Sequence, residues 1–219
     1  MPSPVRPYLG ESAAERVAAR RRKLLDAGLE LMATEGFGNV TIESLSKAAK
    51  VGKRYFYESF TDLDALVAAV VDELTTELST RALTAAAESA VRGDDTRALA
   101  RHVLGTVVGH LLDDPRRARV LFRELDRSSA AEAHRRAAIR QLANVLAVYG
   151  HQHHGAEGAH PIAEIASAML VGGTIEVLLE VLDGQLVRPR EELVDDLAGL
   201  FVALGDGAVA LGKARAAAK

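Results

Sequence analysis

An all-α fold of about nine helices follows from three features of the sequence. Apolar residues recur at i, i+3/i+4 and i+7 along most of the 219 residues, and no strand signal outweighs that period. Hydrophobic residues make up 48% and aromatics only 4%, a balance rich in Ala, Leu and Val that suits helices and their cores. The periodic stretches are separated by helix stops and restarts: Gly36, Val51-Gly52, Gly93-Asp94-Asp95, Asp113-Asp114-Pro115 and Asp183-Gly184.

Residues 1–12 hold Pro2, Pro4, Pro7 and Gly10 and are expected to be a disordered arm. The first helix is predicted from about Ala13 to Thr34. Val17, Leu24, Gly28 and Leu31 form its apolar stripe, widened by Leu25 and Met32, and Gly36 closes it. Its first half concentrates Arg16, Arg20, Arg21, Arg22 and Lys23, either a solvated face or a set of phosphate contacts.

Two short helices follow. Thr41 is placed to cap the first, in which Ile42, Leu45 and Ala49 share a face. Gly52 lies in the turn, and the second helix runs from Lys53 towards Ser59. Phe56 and Phe60 fall on one side of it with Gly52, while Arg54, Tyr55, Tyr57 and Glu58 occupy the rest. That is a helix with aromatic anchors beneath and a polar, basic top, which is what the second helix of a helix-turn-helix needs to enter a major groove.

Thr61 is expected to cap the fourth helix, with Asp64 three residues on completing a capping-box-like pair. Leu63, Leu66, Val67, Val70, Val71, Leu74 and Leu78 give it a long stripe, so it is the natural lever between head and body. Further helices are predicted through about Leu112, with Leu99, Val103, Val107, His110 and Leu111 near one face, and over Arg116–Ser128, with Asp114 as cap and Pro115 at its first position. Three more span about Ala131–Tyr149, Ile162–Leu182 and Glu191–Gly212, the last carrying Leu193, Leu197, Leu200, Phe201 and Leu204 on one side. The expected domains are therefore the arm 1–12, a helix-turn-helix head 13–60 and a helical body 61–219.

The overall charge of −3 conceals an asymmetry. Residues 1–60 carry 10 Lys/Arg against 7 Asp/Glu, and residues 61–219 carry 17 against 23. A basic end on an acidic body suits contact with phosphate through one face. The absence of Cys excludes disulfides, thiolate metal sites and thiol nucleophiles. No uninterrupted apolar run of about 18 residues and no apolar leader stretch in MPSPVRPYLG are present, so a cytoplasmic protein with no membrane partner is expected. His151, His153, His154 and His160 lie in a Gly-rich loop with only Glu157 nearby, so no metal site is assigned. No phosphate-binding Gly loop, G-x-S-x-G or H-E-x-x-H occurs, and Glu124 and Asp126 among Arg119, Arg123 and Arg127 read as surface ion pairs. No enzyme activity and no cofactor are expected.

The stretch RRRKLLDAGLELMATEGFGNVTIESLSKAAKVGKRYFYESFTDLDALVAAV resembles the DNA-binding head of the tetracycline-repressor (TetR) family of dimeric regulators. The resemblance rests on the first-helix stripe, the Glu35 to Phe37 turn, Thr41, the run Val51, Lys53 and Tyr57, then Phe60 and the fourth helix. It covers about fifty residues; the rest of the chain is similar only in length, helical pattern and a final helical pair. It implies a ligand-responsive regulator, a repressor by expectation. Such a protein forms a homodimer through its last two helices and binds double-stranded DNA, a palindromic operator, through its heads, and a small-molecule effector bound in the body releases it. The rival reading is a helical small-molecule-binding or scaffolding protein without DNA binding.

The candidate DNA-binding residues are Thr41, Lys50, Lys53, Arg54, Tyr55, Tyr57 and Glu58. Arg54 is placed to present its fork to guanine, with Glu58 orienting it or accepting from cytosine N4. Lys53, Tyr57 and Thr41 reach phosphate, and Tyr55 either. Three departures from the family pattern stand out. Lys50 occupies a turn position usually held by Gly: it incurs strain if the backbone there needs a positive φ, and is otherwise one more phosphate-facing cation. Gly52 replaces a small hydroxyl residue, which removes a cap from the second short helix, and Leu63 stands where a phosphate-contacting Lys is common. His102 and His110 are either polar handles in an apolar pocket of the body or histidines tolerated in its packing; Gly172-Gly173 offers a place for close helix approach.

Overall fold

In a computed structural model, residues 12–122 and 162–218 are described, with 133, 136, 137, 139–141, 143 and 144 between them. Among these residues eight α-helices and one 3-10 turn are complete: α1 (Ala13–Glu35), the 3-10 turn (Phe37–Asn39), α2 (Ile42–Ala49), α3 (Lys53–Ser59), α4 (Leu63–Arg92), α5 (Thr96–Asp113), α6 (Pro115–Phe122), α7 (Ile162–Leu182) and α8 (Arg190–Ala217). The expected arm up to residue 11, the helix Ala131–Tyr149, the acidic–basic stretch from Arg123 to Arg127 and the histidine loop lie outside the complete described segments.

The helix ends are built locally. Ser12 caps α1 in a reciprocal box with Glu15, so the last residue of the expected arm is part of the first helix end. Gly36 closes α1 at φ 76°, a conformation that favours glycine. Asp62, not Thr61, caps α4: its carboxylate accepts from the Ala65 N–H at 2.8 Å, and the Thr61 hydroxyl donates to Asp62 instead. Asp64 consequently lies in the first turn of α4 and closes no capping box. Gly93 ends α4 at φ 72° and Asp95 caps α5, while the Asp114 carboxylate accepts from the Arg116 N–H at the start of α6.

A single apolar cluster runs through head and body. In the head, Leu24, Met32, Leu45, Phe56 and Phe60 close around Leu66 and Val67 of α4. Each such fully buried side chain contributes about 1.5–3 kcal/mol relative to exposure. Gly28 lets α1 lie directly on α4: a Cβ there would be 2.8 Å from Leu66 Cδ2. In the body, α5 is sandwiched between α4 and α8, and α8 also packs on α7. Hence the buried face of α5 is Leu99, Leu104, Val108, His110 and Leu111, with Val103 and Val107 only half-buried. Arg101 pairs with Asp195, and Arg190 meets Asp113 at 2.8 Å, two links between α5 and α8.

Two stripe positions expected to be internal are exposed. Val17 is 43% exposed because residues 12–19 of α1 extend past the packed core. Leu200 is 62% exposed and, with Leu204, Gly207 and Leu211, lines an outward strip of α8. Ile165, Met169 and Gly172 make a similar strip on α7. Nothing lies within 4 Å of where a Cβ would stand on Gly172 or Gly173, so neither glycine is used for close packing within one chain. By length and hydropathy alone α7 and α8 both reach the level of a membrane span, at 1.8 and 1.5, with only 28% and 22% of those windows buried. The sequence, which lacks a long uninterrupted apolar run, understated this surplus of apolar surface.

Candidate nucleic-acid interface

Helix α3 is anchored from below and open above. Phe56 is fully buried and Phe60 nearly so, with ring centroids 5.8 Å apart. The edge of that aromatic floor meets Tyr57, whose ring stands at 89° to Phe56 with centroids 5.5 Å apart. An aromatic on the core side of a seven-residue helix fixes which residues face out, and those are Lys53, Arg54, Tyr55, Tyr57 and Glu58, all exposed.

Thr41 and Lys50 frame α2. The Thr41 hydroxyl accepts from the Ser44 N–H at 3.1 Å, and Ser44 Oγ accepts from the Thr41 N–H at 3.0 Å. Lys50 adopts φ 53°, ψ 40°, the one left-handed non-glycine residue among those described. The turn therefore demands the glycine-type backbone that the lysine departure put in question, and holding a side chain there costs about 1–2 kcal/mol. Gly52 has φ −62° and offers no side-chain cap to α3, as its substitution for a hydroxyl residue implied.

The seven candidate residues are thus all exposed and lie on, or cap, the two short helices. Both cations of α3 are tied within the chain. Lys53 Nζ is 3.1 Å from Glu43 of α2, and Arg54 Nε is 3.4 Å from Glu58, the i, i+4 pair expected on one helix face. Both pairs are largely exposed, Arg54 at 87%, so each is worth no more than about 1 kcal/mol and gives way readily to a phosphate or a base.

Three arginines of the α1 basic cluster take a role that neither expectation named. The Arg20 guanidinium lies 4.3 Å over the Tyr55 ring and 4.0 Å from Glu58. Arg21 lies 4.9 Å over Phe60, and Arg22 reaches Glu73 of α4 at 2.6 Å. These arginines clamp α1 to α3 and α4. Stacking across some 35 residues leaves no periodic trace; the only hint was the coincidence of arginines with aromatics in one head.

The head also holds the body by a polar link. Arg116 of α6 donates to Glu30 of α1 at 2.6 Å and to Asp114 at 2.8 Å. Those two carboxylates raise the Arg116 pKa, Asp114 first, and the Arg116 hydrogen bonds hold Asp114 below the ordinary carboxylate value. Of the two body histidines, His102 meets Glu88 at 2.9 Å and is partly exposed. His110 is buried, 3.5 Å from Glu77 of α4. Both have protein partners, so neither stands as an open polar handle in a pocket. Leu63 is half-buried against the core and supplies no fourth-helix cation. No metal-holding cluster of His, Asp and Glu occurs among the described residues.

A short two-helix unit with an anchored, outward-facing basic second helix, set on a helical body, is the architecture of a helix-turn-helix head. Residues 24–70, within the head and the start of α4, match the family model described as bacterial regulatory proteins, tetR family. No curated protein sequence matches the chain. Among solved structures it is similar to a putative transcriptional regulator from Pseudomonas aeruginosa PAO1, with TM-score 0.74 and 17% identity over 88% of this chain and 93% of that one. It is also similar to the fatty acid degradation regulator FadR from Bacillus halodurans, with TM-score 0.72 and 16% identity over 83% and 94%. The FadR regulator from Bacillus subtilis, solved with stearoyl-CoA, gives TM-score 0.66 and 19% identity over 83% and 97%. At these identities the likeness is one of fold, and it spans body as well as head.

Proposed function

We propose that the chain is a ligand-responsive transcriptional repressor acting in the cytoplasm, which binds an inverted-repeat operator as a homodimer. The observation that carries this reading is α3: Phe56 and Phe60 buried beneath it, and Lys53, Arg54, Tyr55, Tyr57 and Glu58 exposed above it. Arg54 is assigned to guanine O6/N7, with Glu58 beside it. Lys53, Tyr57, Thr41 and Lys50 are assigned to phosphate, and Tyr55 to either.

Pairing of two copies is supported by the outward apolar strips of α7 and α8, with Ile165, Met169, Leu200 and Leu211 all more than half exposed. A two-fold contact through these strips would set two α3 helices about 34–36 Å apart, one turn of DNA. Release by an effector is supported by links from body to head, among them the continuous helix α4 and the Arg116–Glu30 pair. A molecule that favours a different body arrangement would alter head spacing in both subunits at once and take the half-sites out of register.

Selection from a randomised duplex library tests the reading. An inverted repeat with half-sites one turn apart supports it; recovery of no preferred sequence, or a monomer mass by light scattering at micromolar concentration, overturns it.

A further inference from the structure

Resting on the reading of α3 as the base-contacting helix, we propose that Arg20 of α1 is a positioning residue for sequence readout: it holds Glu58 so that Arg54 is free to leave for the DNA. One carboxylate here faces two guanidinium groups. Glu58 Oε2 is 4.0 Å from Arg20 and Glu58 Oε1 is 3.4 Å from Arg54. The two arginines are not equivalent. Arg54 is 87% exposed on a surface helix, whereas Arg20 is 27% exposed and lies over the Tyr55 ring. Arg20 also sits next to Arg21, which stacks on Phe60, and one turn before the buried Leu24 and Leu25. Its backbone is fixed by the core and its guanidinium by a ring face.

The consequence is electrostatic. When Arg54 moves to a base edge it abandons Glu58, and an uncompensated carboxylate facing a phosphate backbone is repelled by it. Arg20 remains beside Glu58 and neutralises it, so Arg54 gives up little by leaving. Without Arg20, Arg54 becomes the sole counter-ion of Glu58 and is held in the helix-surface pair. Arg20 therefore contributes to discrimination while touching no base.

The test compares wild type, Arg20→Ala, Glu58→Gln and the double variant by binding to the duplex selected by wild type, to single-base variants of it and to random duplex, across salt. Circular dichroism melts report the fold of each. Arg20→Ala is expected to lose about three- to fivefold on the selected duplex, the most that so exposed a pair can hold back, with preference flattened at the base pair read by Arg54. Its salt slope should match wild type. Adding Glu58→Gln should return the lost preference, because Arg54 then has nothing to neutralise. Arg20→Gln, of similar length and uncharged, stands in if Arg20→Ala does not fold, with the same expectation. Equal weakening on selected and random duplex with a lower salt slope would make Arg20 a phosphate contact and overturn the proposal. So would an Arg20→Ala profile indistinguishable from wild type, or a double variant no better than Arg20→Ala. A wild type that selects no sequence would instead overturn the DNA reading, and this proposal with it.

Discussion

Gly28 of α1 and Leu66 of α4 touch so closely that a Cβ on Gly28 would stand 2.8 Å from Leu66 Cδ2, and Leu66 has no exposure into which to retreat. This contact sets how closely α1 approaches α4. Gly28→Val is expected to destabilise the chain by about 1–3 kcal/mol through overpacking, in spite of glycine's poor helix propensity. Urea unfolding checks it through a lower midpoint at unchanged slope.

Lys50 carries a strain that glycine would not. Lys50→Gly should stabilise the head by about 0.5–1 kcal/mol, the left-handed penalty less glycine's extra chain entropy. It should also reduce the salt slope of duplex binding, because a phosphate-facing cation is lost. Thermal melts and salt titrations of one variant thus read structure and function with opposite signs.

His110 makes the body sensitive to acid. Burial lowers its pKa first and Arg117 next, against the raising influence of Glu77 and Asp113; Arg81 lowers it further. Its contribution to stability is therefore complete above the unfolded histidine value of about 6.5 and is lost as pH falls from there to the depressed folded value. Glu77 acts in the same direction at lower pH. Burial would raise its pKa, but the Arg81 hydrogen bond with His110 and Arg117 holds it below 4.5, so its contribution is lost beneath that value. His110→Gln should flatten the dependence of the urea midpoint between about pH 7.5 and about pH 5.5. A slope identical to wild type would place the acid sensitivity elsewhere.

Leu200 separates a core role from a partner role. At 62% exposure it supports little within one chain, so Leu200→Glu should change the chain's own stability by no more than about 0.5 kcal/mol. A buried carboxylate at a subunit contact is far more costly, so light scattering should show a shift from dimer towards monomer.

The head was legible because each of its signals is local. Thr41 is the cap it was expected to be, the break at Gly52 separates two helices, and Phe56 and Phe60 lie beneath α3. The misses are of a different kind. Thr61 and Asp62 are adjacent capping residues, and only the docking of Leu66 and Val67 into the core selects the second. Val103 and Val107 lost to Leu104 and Val108 because α5 is packed on two sides, which turns its buried face away from the simplest stripe. Leu200 followed the period of a core residue yet points outward, since periodicity cannot tell a core face from an exposed apolar one. The Arg20 and Arg21 stacks, and the Arg116–Glu30 pair, join residues far apart in the chain and leave no pattern in sequence.

Salt-dependent duplex binding by Arg54→Ala and Lys53→Ala, measured side by side on the selected operator and on random duplex, tests most directly the claim that the outer face of α3 reads DNA sequence. Arg54→Ala is predicted to lose about 1–3 kcal/mol on the operator alone and to relax preference at one base pair per half-site. Lys53→Ala is predicted to weaken both duplexes alike and to lower the salt slope by about 1 per site. Equal weakening of operator and random duplex by Arg54→Ala would contradict the account, leaving Arg54 as a phosphate contact and α3 without its assigned base-reading residue.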